Sequence, residues 1–497
     1  MSHTEHFNVL IVGAGISGID AAYHLQTHCI DKRFTLLETQ VTFGGTWSTH
    51  KYPGIRSDSD LFTFGFGWKP WTGIPIATGE EILKYLDEAI DEQDLRKHIR
   101  FQHTVTTAAW SSEDALWTVD VSRAASRDKV SYTANFLWMC QGYYVHSQPH
   151  TPEFSDMDRF TGQIVHPQAW PEDLDYKNKK VVVIGSGATA ATLIPAMADD
   201  TAHITMLQRS PTYFFAAPVK NALQETLRQL ELPEEWIHEI MRRKMLFDSE
   251  ELTRRSFDDA EALKAELISD ARAYLGDEFD IDKHFTPSYR PWRQRLALIP
   301  DGDLYHAIHD GKASVVTDQI ESFTEAGIKL ESGTTLEADI VVTATGFNLC
   351  VLGDIAFIID DKPLNFADTC TYRGMMYSGV PNMAWVFGYL RSSWTLRADL
   401  ISQFVCRLLN HMEEKDVAFV TPTLSEQDKD MPLRPFIEPD NFNAGYLMRS
   451  MHLLPKQGDR IPWLMSQDYY LEKDEIPVCD LDDGTLRYTA IDSTICE

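Results

Sequence analysis

The sequence predicts an α/β fold with two Rossmann-like domains, the second of which is inserted into the first. Glycine-rich turns occur at residues 13–18 and 185–190, and each turn follows an apolar strand and opens a helix. The chain has 497 residues, of which 43% are hydrophobic. This length and composition suffice for two or three packed domains.

The first glycine-rich turn lies in a complete strand–helix–strand unit. Its predicted segments are a strand, a helix and a second strand at residues 6–12, 16–25 and 34–37. Gly13, Gly15 and Gly18 allow the backbone to approach a pyrophosphate at the helix N-terminus. Glu38 ends the second strand, where its carboxylate can accept hydrogen bonds from ribose hydroxyls. We therefore predict a dinucleotide without a 2′-phosphate here, and FAD fits that description.

The second glycine-rich turn differs from the first in its charge. Its unit has a strand, a helix and a second strand at residues 179–184, 188–198 and 203–207. Gly185 and Gly187 keep the glycine pattern, whereas Arg209 stands where the first unit has Glu38. A guanidinium binds a 2′-phosphate that a carboxylate would repel, so we predict NADPH rather than NADH. The neighbouring positions Ala188, Thr189 and Ser210 complete the predicted contacts.

The remaining segments complete the predicted domains. They are an amphipathic helix at 80–93, hairpin strands within 110–121 and 129–136, a buried strand at 136–140, an apolar strand at 338–343 and a helix at 399–412. The stretch from about 219 to 282 is charged and helical in pattern, which predicts a helical insertion. We expect an FAD-binding domain at residues 1–150 and 331–497, and an NADPH-binding domain with the insertion at residues 151–330.

Composition and charge exclude several classes of partner. The formal net charge of −29 repels nucleic acid and anionic lipid headgroups. The seven cysteines, Cys496 included, form no C-x-x-C pair, which indicates reduced thiols. No H-E-x-x-H motif occurs, and we predict no metal site. We expect no spanning segment and no signal peptide, since the first strand begins near Phe7, and hence a cytoplasmic location.

A third motif lies between the two units. It reads F-x-G-x-x-x-H-x-x-x-W-P, with fixed positions at Phe160, Gly162, His166, Trp170 and Pro171. It resembles the fingerprint of Baeyer–Villiger monooxygenases, which are class B flavoprotein monooxygenases, and lies where that family has it. The related S- and N-oxygenating flavin monooxygenases usually carry Phe or Tyr where Trp170 stands. The chain length favours the family's shorter subgroup, which is similar to ethionamide monooxygenase.

The resemblance extends along most of the chain and implies several flavin contacts. Residues 44–58 look like the family's flavin-side loop, which implies that Gly45, Thr46 and Trp47 contact FAD. Asp58 matches the aspartate that the family places against a catalytic arginine, and it too is expected near the flavin. The later flavin-domain motifs are matched by residues 344–346 and by residues 379–382 with Gly388.

The family's catalytic arginine falls within residues 286–295, where three arginines compete. We favour Arg295 because the subgroup's P-W-x-Q-R pattern ends on it, and Arg290 is the second choice. In the family, NADPH reduces FAD and oxygen adds to the flavin as a C4a-peroxyflavin, which converts a ketone to an ester or lactone. Arginine suits the cation that this chemistry needs, because it stays charged. The implied partners are O₂ and a small ketone or sulfide.

Other functions stay open on the sequence alone. The chain is also compatible with an S- or N-oxygenating flavin-containing monooxygenase and with an NADPH–flavin reductase or oxidase. A nucleotide-sensing protein that keeps only the fold is a third alternative. The aromatic stretch at residues 62–71 either lines an apolar pocket or belongs to the core.

Overall fold

The computed structural model describes residues 4–124 and 129–490. The first part of the chain contains β1 (Glu5–Val12), α1 (Ile16–His28), β2 (Phe34–Leu37), α2 (Thr46–Thr49), α3 (Leu61–Phe64), α4 (Gly79–Glu92), β3 (Ile99–Arg100), β4 (His103–Ser111), β5 (Leu116–Arg123) and β6 (Lys129–Met139).

The middle part contains β7 (Gln163–Val165), β8 (Lys180–Ile184), α5 (Ala188–Met197), β9 (His203–Gln208), β10 (Phe214–Ala217), α6 (Ala222–Gln229), α7 (Glu234–Asp258), α8 (Ala260–Leu275), α9 (Ile281–His284), β11 (Ala297–Pro300), α10 (Asp303–His309), β12 (Ala313–Thr317), β13 (Ile320–Thr324), β14 (Gly327–Leu330), β15 (Thr335–Glu337) and β16 (Ile340–Thr343).

The last part contains β17 (Ala356–Ile359), β18 (Lys362–Pro363), β19 (Thr371–Tyr372), β20 (Met376–Tyr377), β21 (Met383–Trp385), α11 (Trp394–Glu414), β22 (Phe419–Pro422), β23 (Arg434–Pro435), α12 (Gly445–Ser450), β24 (Lys456–Gln457), α13 (Tyr469–Glu475) and β25 (Leu486–Thr489).

The first large sheet joins the two ends of the chain. β1 lies between β2 and β6 and runs parallel to both, while β4, β5 and β6 form an antiparallel meander. From Val9 to Val12 every residue of β1 is buried, as expected for a central parallel strand covered on both faces. β17 pairs with β4 and β21 pairs with β6. The first and last parts of the chain therefore build one unit.

The second large sheet is parallel throughout, in the order β12-β9-β8-β16-β7. We expected the second FAD segment to begin at residue 331, but β16 pairs with β7 and β8 in this sheet. The second unit therefore continues to Thr343. The apolar sequence of β16 indicates that the strand is buried, but it does not specify which sheet receives it.

Several predicted elements differ in their bounds. Helix α11 begins at Trp394, not at residue 399, and the strand expected at 136–140 is the end of the longer β6. Residues 110–121 contain the turn between β4 and β5, so they do not form one strand. The helical insertion consists of α6, α7, α8 and α9, and it ends at His284, two residues beyond the predicted stretch of 219 to 282.

Close packing joins the two units. Gly54 adopts a φ of 75°, and a Cβ atom there would lie 2.5 Å from the Cβ of Ala196 in α5. Arg56 Nη1 donates a hydrogen bond to Asp303 Oδ2, at the start of α10, with a donor–acceptor distance of 2.6 Å. Gly54 and Arg56 both lie just before Asp58 in the chain. Their contacts therefore hold this segment against the second unit.

Two findings concern the surroundings of the protein. Every helix within residues 4–124 and 129–490 is too short or too polar to span a lipid bilayer. The cysteines of these ranges are buried and form no disulfide, whereas Cys496 lies outside the described residues.

Candidate active site

A cavity of about 890 Å³ lies at the junction of the two units. The flavin-side loop lines it with Thr46, Trp47 and Asp58, and the second turn lines it with Gly185 and Gly187. A ligand held at the second turn can therefore meet a ligand held by the flavin-side loop in one chamber.

The first turn is built for close backbone approach. Gly13 has a φ of 103°, and a Cβ atom on it would lie 2.7 Å from the carbonyl oxygen of Cys140. A Cβ atom on Gly18 would lie 2.0 Å from the carbonyl oxygen of Gly13. Gly45 meets Gly15 so closely that a Cβ atom on Gly45 would be 3.3 Å from the Cα of Gly15. The turn and the flavin-side loop therefore form a continuous glycine-lined cradle.

Glu38 lies beside this turn with only 6% of its surface exposed. Its carboxylate accepts hydrogen bonds from the backbone N–H groups of Ala14 and Gln40, each at 2.8 Å. Burial raises the pKa of Glu38, and these two N–H groups act in the opposite direction. The carboxylate is thus held at the end of β2, at the place predicted for a ribose contact.

The second turn has the same shape and an open face. Gly185 has a φ of 128°, and a Cβ atom there would lie 2.3 Å from the carbonyl oxygen of Ala344. A Cβ atom on Gly187 would meet nothing within 4 Å, because this glycine faces the cavity. Ser186 and Thr212 share a hydrogen bond of 2.9 Å that joins the turn to the segment after β9.

The predicted NADPH contacts gather around this turn. Ala188 and Thr189 open helix α5 and line the cavity. Arg209 and Ser210 follow β9, where they are exposed and line the cavity as well. A cation thus stands at the end of the second strand of this unit, whereas the first unit has the buried Glu38.

Arg295 and Asp58 form an ion pair in the cavity wall. Arg295 Nε donates to Asp58 Oδ2 at 2.8 Å, and Arg295 Nη2 donates to Asp58 Oδ1 at 2.6 Å. A third bond runs from Arg295 Nη1 to the carbonyl oxygen of Leu390 at 3.1 Å. Burial alone would lower the pKa of Arg295, but the charge and hydrogen bonds of Asp58 raise it above its ordinary value. The guanidinium is therefore a permanent, oriented cation.

The other two arginines of this segment lie elsewhere. Arg290 stacks on the ring of Phe257 in α7, at 4.0 Å, and donates to the carbonyl oxygens of Asp440 and Asn441. Arg293 pairs with Asp440 at 3.1 Å. Neither side chain lines the cavity, so among these three arginines the geometry favours Arg295 for the flavin-side role.

Three tyrosines that the sequence analysis did not single out stand near this pair. Tyr143 and Tyr144 follow β6, and Tyr446 lies in α12; all three line the cavity. Burial raises their pKa values well above the usual range, whereas the positive charge of Arg295 acts to lower each of them. The position of Tyr143 and Tyr144 directly after a parallel strand was the available signal, because such strand ends face ligands.

The fingerprint residues lie outside the cavity wall. A Cβ atom on Gly162 would lie 2.3 Å from the carbonyl oxygen of Asp339, so this position requires glycine. His166 Nδ1 accepts from the backbone N–H of Gln168, and Trp170 is half-buried beside Tyr176. The segment therefore packs within the second unit, where its residues 163–165 form β7 beside β16.

The aromatic stretch at residues 62–71 belongs mainly to the core. Phe62, Phe66 and Trp71 are buried, and Phe66 stacks on Trp68 with ring centroids 4.5 Å apart. Phe64 is the member that also reaches the cavity wall. This stretch therefore supplies a single ring to the chamber.

A buried polar group outside the cavity brings metal-ligating side chains together. Ligand atoms of Asp20, His24 and Asp399 lie within 4.8 Å of one another. His24 Nε2 and Asp399 Oδ1 share a hydrogen bond of 2.8 Å, and Trp68 and Ser402 donate to Asp20. These bonds join α1 to α11, whereas the buried Nδ1 atom of His24 has no hydrogen-bond partner among the described residues.

Comparison with known sequences agrees with this architecture. Residues 76–226 match the family described as flavin-binding monooxygenase-like, and residues 11–73 match the NAD(P)-binding Rossmann-like domain. Among solved structures, the chain is similar to an oxidised steroid monooxygenase bound to NADP, with a TM-score of 0.77, 23% identity, and coverage of 97% of this chain and 99% of that one. It is also similar to an open structure of cyclohexanone monooxygenase, with a TM-score of 0.66, 21% identity, and coverage of 84% and 90%. At these identities the solved structures establish the shared fold.

Curated relatives match along nearly the whole chain. The FAD-containing monooxygenase EthA of Mycolicibacterium smegmatis is 46% identical over 488 residues, which are 98% of each chain. EthA of Mycobacterium tuberculosis is 45% identical over 487 residues, again 98% of each chain. The probable FAD-binding monooxygenase AlmA of Acinetobacter baylyi is 42% identical over 493 residues, or 99% of this chain and 98% of that one. This chain therefore belongs to the EthA-like family of FAD-containing monooxygenases.

Proposed function

We propose that this protein uses NADPH and O₂ to insert one oxygen atom beside a ketone carbonyl, which gives an ester or lactone. The observation that carries the proposal is the Arg295–Asp58 pair, with bonds of 2.6 and 2.8 Å, in a cavity lined by the second glycine-rich turn and by the loop that packs on the first turn. A flavin monooxygenase needs an electron donor, an oxygen-activating cofactor and a fixed cation at one place. A sulfide could accept the oxygen atom at the same site.

The residues of the first unit fit FAD. Gly13 and Gly18 leave room for a pyrophosphate at the start of α1, and Glu38 presents a buried carboxylate to a ribose. Gly45 extends the cradle towards Thr46, which lines the cavity. FAD, when bound and reduced, supplies the chemistry that activates molecular oxygen.

The residues of the second unit fit NADPH. Gly185 and Gly187 keep the backbone free of side chains at the start of α5. Arg209 would hold the 2′-phosphate through paired hydrogen bonds, and Ser210 would add a hydroxyl donor. A carboxylate at this strand end would repel the phosphate, so its absence supports NADPH over NADH.

Arg295 would act on the charge that develops on oxygen during the reaction. Its raised pKa keeps it protonated, and its bidentate bond to Asp58 prevents reorientation. A donor that is already oriented stabilises a developing negative charge without reorganisation. Asp58 positions Arg295 and balances its charge in the resting cavity.

Product analysis with 2-octanone and ¹⁸O₂ tests the function. The expected reaction consumes 2-octanone, O₂, NADPH and a proton, and yields hexyl acetate, NADP⁺ and water. One labelled oxygen atom should enter each ester molecule for each NADPH oxidised. Hydrogen peroxide as the only oxygen product would refute the proposal and favour a flavin reductase or oxidase.

A matched pair of lysine variants tests the role of the cation. Arg295→Lys keeps the charge but removes the paired bonds, and we expect ester formation to fall about 100-fold. Arg290→Lys makes the same change outside the cavity, so it should form ester at the wild-type rate. Equal losses in both variants would contradict the assignment of Arg295.

We also propose a cytoplasmic location. The unpaired, buried cysteines of the described residues support it, because disulfides form in oxidising compartments. Fractionation of cells that produce the protein would test this point.

A further inference from the structure

Three phenol side chains from distant parts of the sequence meet in the cavity wall. Tyr143 and Tyr144 follow Gly142, whose φ of 76° turns the chain at the end of β6. Tyr446 is the second residue of α12. The roles of FAD, NADPH and Arg295 described above leave these three residues without a function.

Aromatic neighbours fix the three rings. Tyr143 stacks on Trp394, with ring centroids 5.1 Å apart and an interplanar angle of 15°. Tyr144 packs on Phe347 at 4.4 Å. The ring of Tyr446 lies 6.4 Å from that of Tyr143 and 6.1 Å from that of Tyr144. Because the rings are packed on several sides, the hydroxyl groups keep fixed positions at the cavity surface.

The three hydroxyl groups have more O–H donors than partners that receive them. The phenol oxygens of Tyr143 and Tyr144 lie 3.0 Å apart and share one hydrogen bond. Within residues 4–124 and 129–490, no carboxylate or carbonyl accepts from any of the three hydroxyls. The three phenols have three protons and share one hydrogen bond, between Tyr143 and Tyr144, so two O–H groups remain to donate.

The rest of the nearby wall also offers donors. Arg295 is a guanidinium, and the carboxylate of Asp58 is already engaged by two of its N–H groups. Burial raises the pKa of all three tyrosines, so each keeps its proton at any working pH. The complementary group on a ligand is therefore an oxygen acceptor.

We propose that the hydroxyls of Tyr143, Tyr144 and Tyr446 form a donor site for the substrate's carbonyl oxygen, and that Tyr446 makes the direct bond. Tyr143 and Tyr144 engage each other, which leaves Tyr446 free to reach the ligand. Such a site selects ketones over sulfides, because a thioether sulfur is a weak acceptor. It also stabilises the negative charge that grows on that oxygen when the carbonyl carbon is attacked. The inference rests on the proposed function, since it names a substrate class for the same cavity.

Two substrates of matched shape test the proposal. 2-Octanone and hexyl methyl sulfide have the same chains on either side of a carbonyl group or a sulfur atom. In Tyr446→Phe, kcat/KM for 2-octanone should fall about ten-fold, as expected for one lost hydrogen bond, while the value for the sulfide stays within about two-fold. Equal losses for both substrates, or no loss for the ketone, would overturn the proposal.

A binding measurement separates this proposal from the proposed function. Titration of the oxidised, FAD-loaded protein with 2-octanone, followed by flavin absorbance, requires no turnover. The dissociation constant should rise about ten-fold in Tyr446→Phe. An unchanged constant would refute the donor site. If the dissociation constant is raised in Tyr446→Phe but the wild-type protein makes no ester, the donor site is supported and the ester-forming function is refuted.

Control variants identify effects of folding. Tyr377→Phe removes a buried hydroxyl that has no partner among the described residues and lies outside the cavity, so it should change neither constant. If Tyr446→Phe does not retain FAD, Tyr144→Phe removes a hydroxyl from the same donor site and serves in its place. An unchanged ketone constant in Tyr144→Phe would then count against the donor site.

Discussion

Removal of the charge on Asp58 is the most direct perturbation of the candidate active site. Asp58→Asn keeps the size of the side chain, but an amide has one acceptor oxygen where the carboxylate has two. Its NH₂ group would face the N–H groups of Arg295, which are donors too. Arg295 would then be held mainly by the 3.1 Å bond to the carbonyl oxygen of Leu390.

The size of the effect follows from the exposure of the pair. Breaking a fully buried ion pair by removing one partner costs about 3–5 kcal/mol. The side chains of Arg295 and Asp58 are 31% and 27% exposed, so solvent screens part of this interaction. We take about half the buried value, or about 2 kcal/mol. If the guanidinium is needed in the oxygen-inserting step, kcat/KM for a ketone should fall about 30-fold.

The assay follows ester, hydrogen peroxide and NADPH together. Asp58→Asn should oxidise NADPH with less ester and more peroxide than the wild type. Asp58→Glu restores a carboxylate and should recover part of the lost ester. Ser59→Ala removes a long contact of 3.4 Å to Arg295 and should cost less than about three-fold. Wild-type ester yield in Asp58→Asn, or equal losses in Asp58→Asn and Ser59→Ala, would refute the reasoning.

Three further predictions concern the second cofactor, the junction and pH. Arg209→Ala should lower kcat/KM for NADPH about 30-fold and leave NADH unchanged, because NADH lacks the 2′-phosphate; equal losses in steady-state assays with the two would exclude a phosphate contact. Gly54→Ala should destabilise the protein by about 1–3 kcal/mol, since Gly54 has a φ of 75° and its new Cβ would meet Ala196; an unchanged thermal midpoint would contradict this. Burial, together with two neighbouring histidines, lowers the pKa of His50 from 6.5 to about 4. As the pH drops, His50 therefore takes up a proton in the unfolded chain before it does so in the folded protein. The stability of the fold should fall as the pH drops from 6.5 towards 4. His50→Gln should remove about 2 kcal/mol of this loss at pH 5, and the difference between unfolding midpoints at pH 7 and pH 5 should shrink; an equal difference in the variant would show that other groups cause it.

Local sequence patterns were sufficient to locate residues whose position follows from a single strand–helix–strand unit. The contrast between Glu38 and Arg209 could be read directly, because each residue ends the second strand of its own unit. Asp58 and Arg295 are 237 positions apart, and the motif resemblance only narrowed the arginine to three candidates. The folded chain separates these arginines by placing two of them outside the cavity.

Long-range placement explains what the sequence could not provide. Nothing in the sequence of β16 distinguishes a strand of the first sheet from a strand of the second, because both sheets bury apolar strands on two faces. Tyr446 likewise looks like an ordinary helical residue in the sequence. Only the folded chain brings α12, and Tyr446 with it, next to the segment that follows β6. Such juxtapositions depend on how distant segments pack, and no local propensity encodes them.

The insertion of the second unit has a consequence for synthesis on the ribosome. Asn382 donates to the carbonyl oxygen of Asn135, 247 residues earlier, and β21 pairs beside β6 in the same region. The edge of β6 therefore stays unpaired until β21 has been synthesised. Synthesis of the intervening residues takes about 10 to 50 seconds at ordinary elongation rates. During that interval the second unit can fold from nearby segments, whereas the first sheet exposes an unpaired strand. Chaperone dependence should accordingly be concentrated in nascent chains that end between β6 and β21.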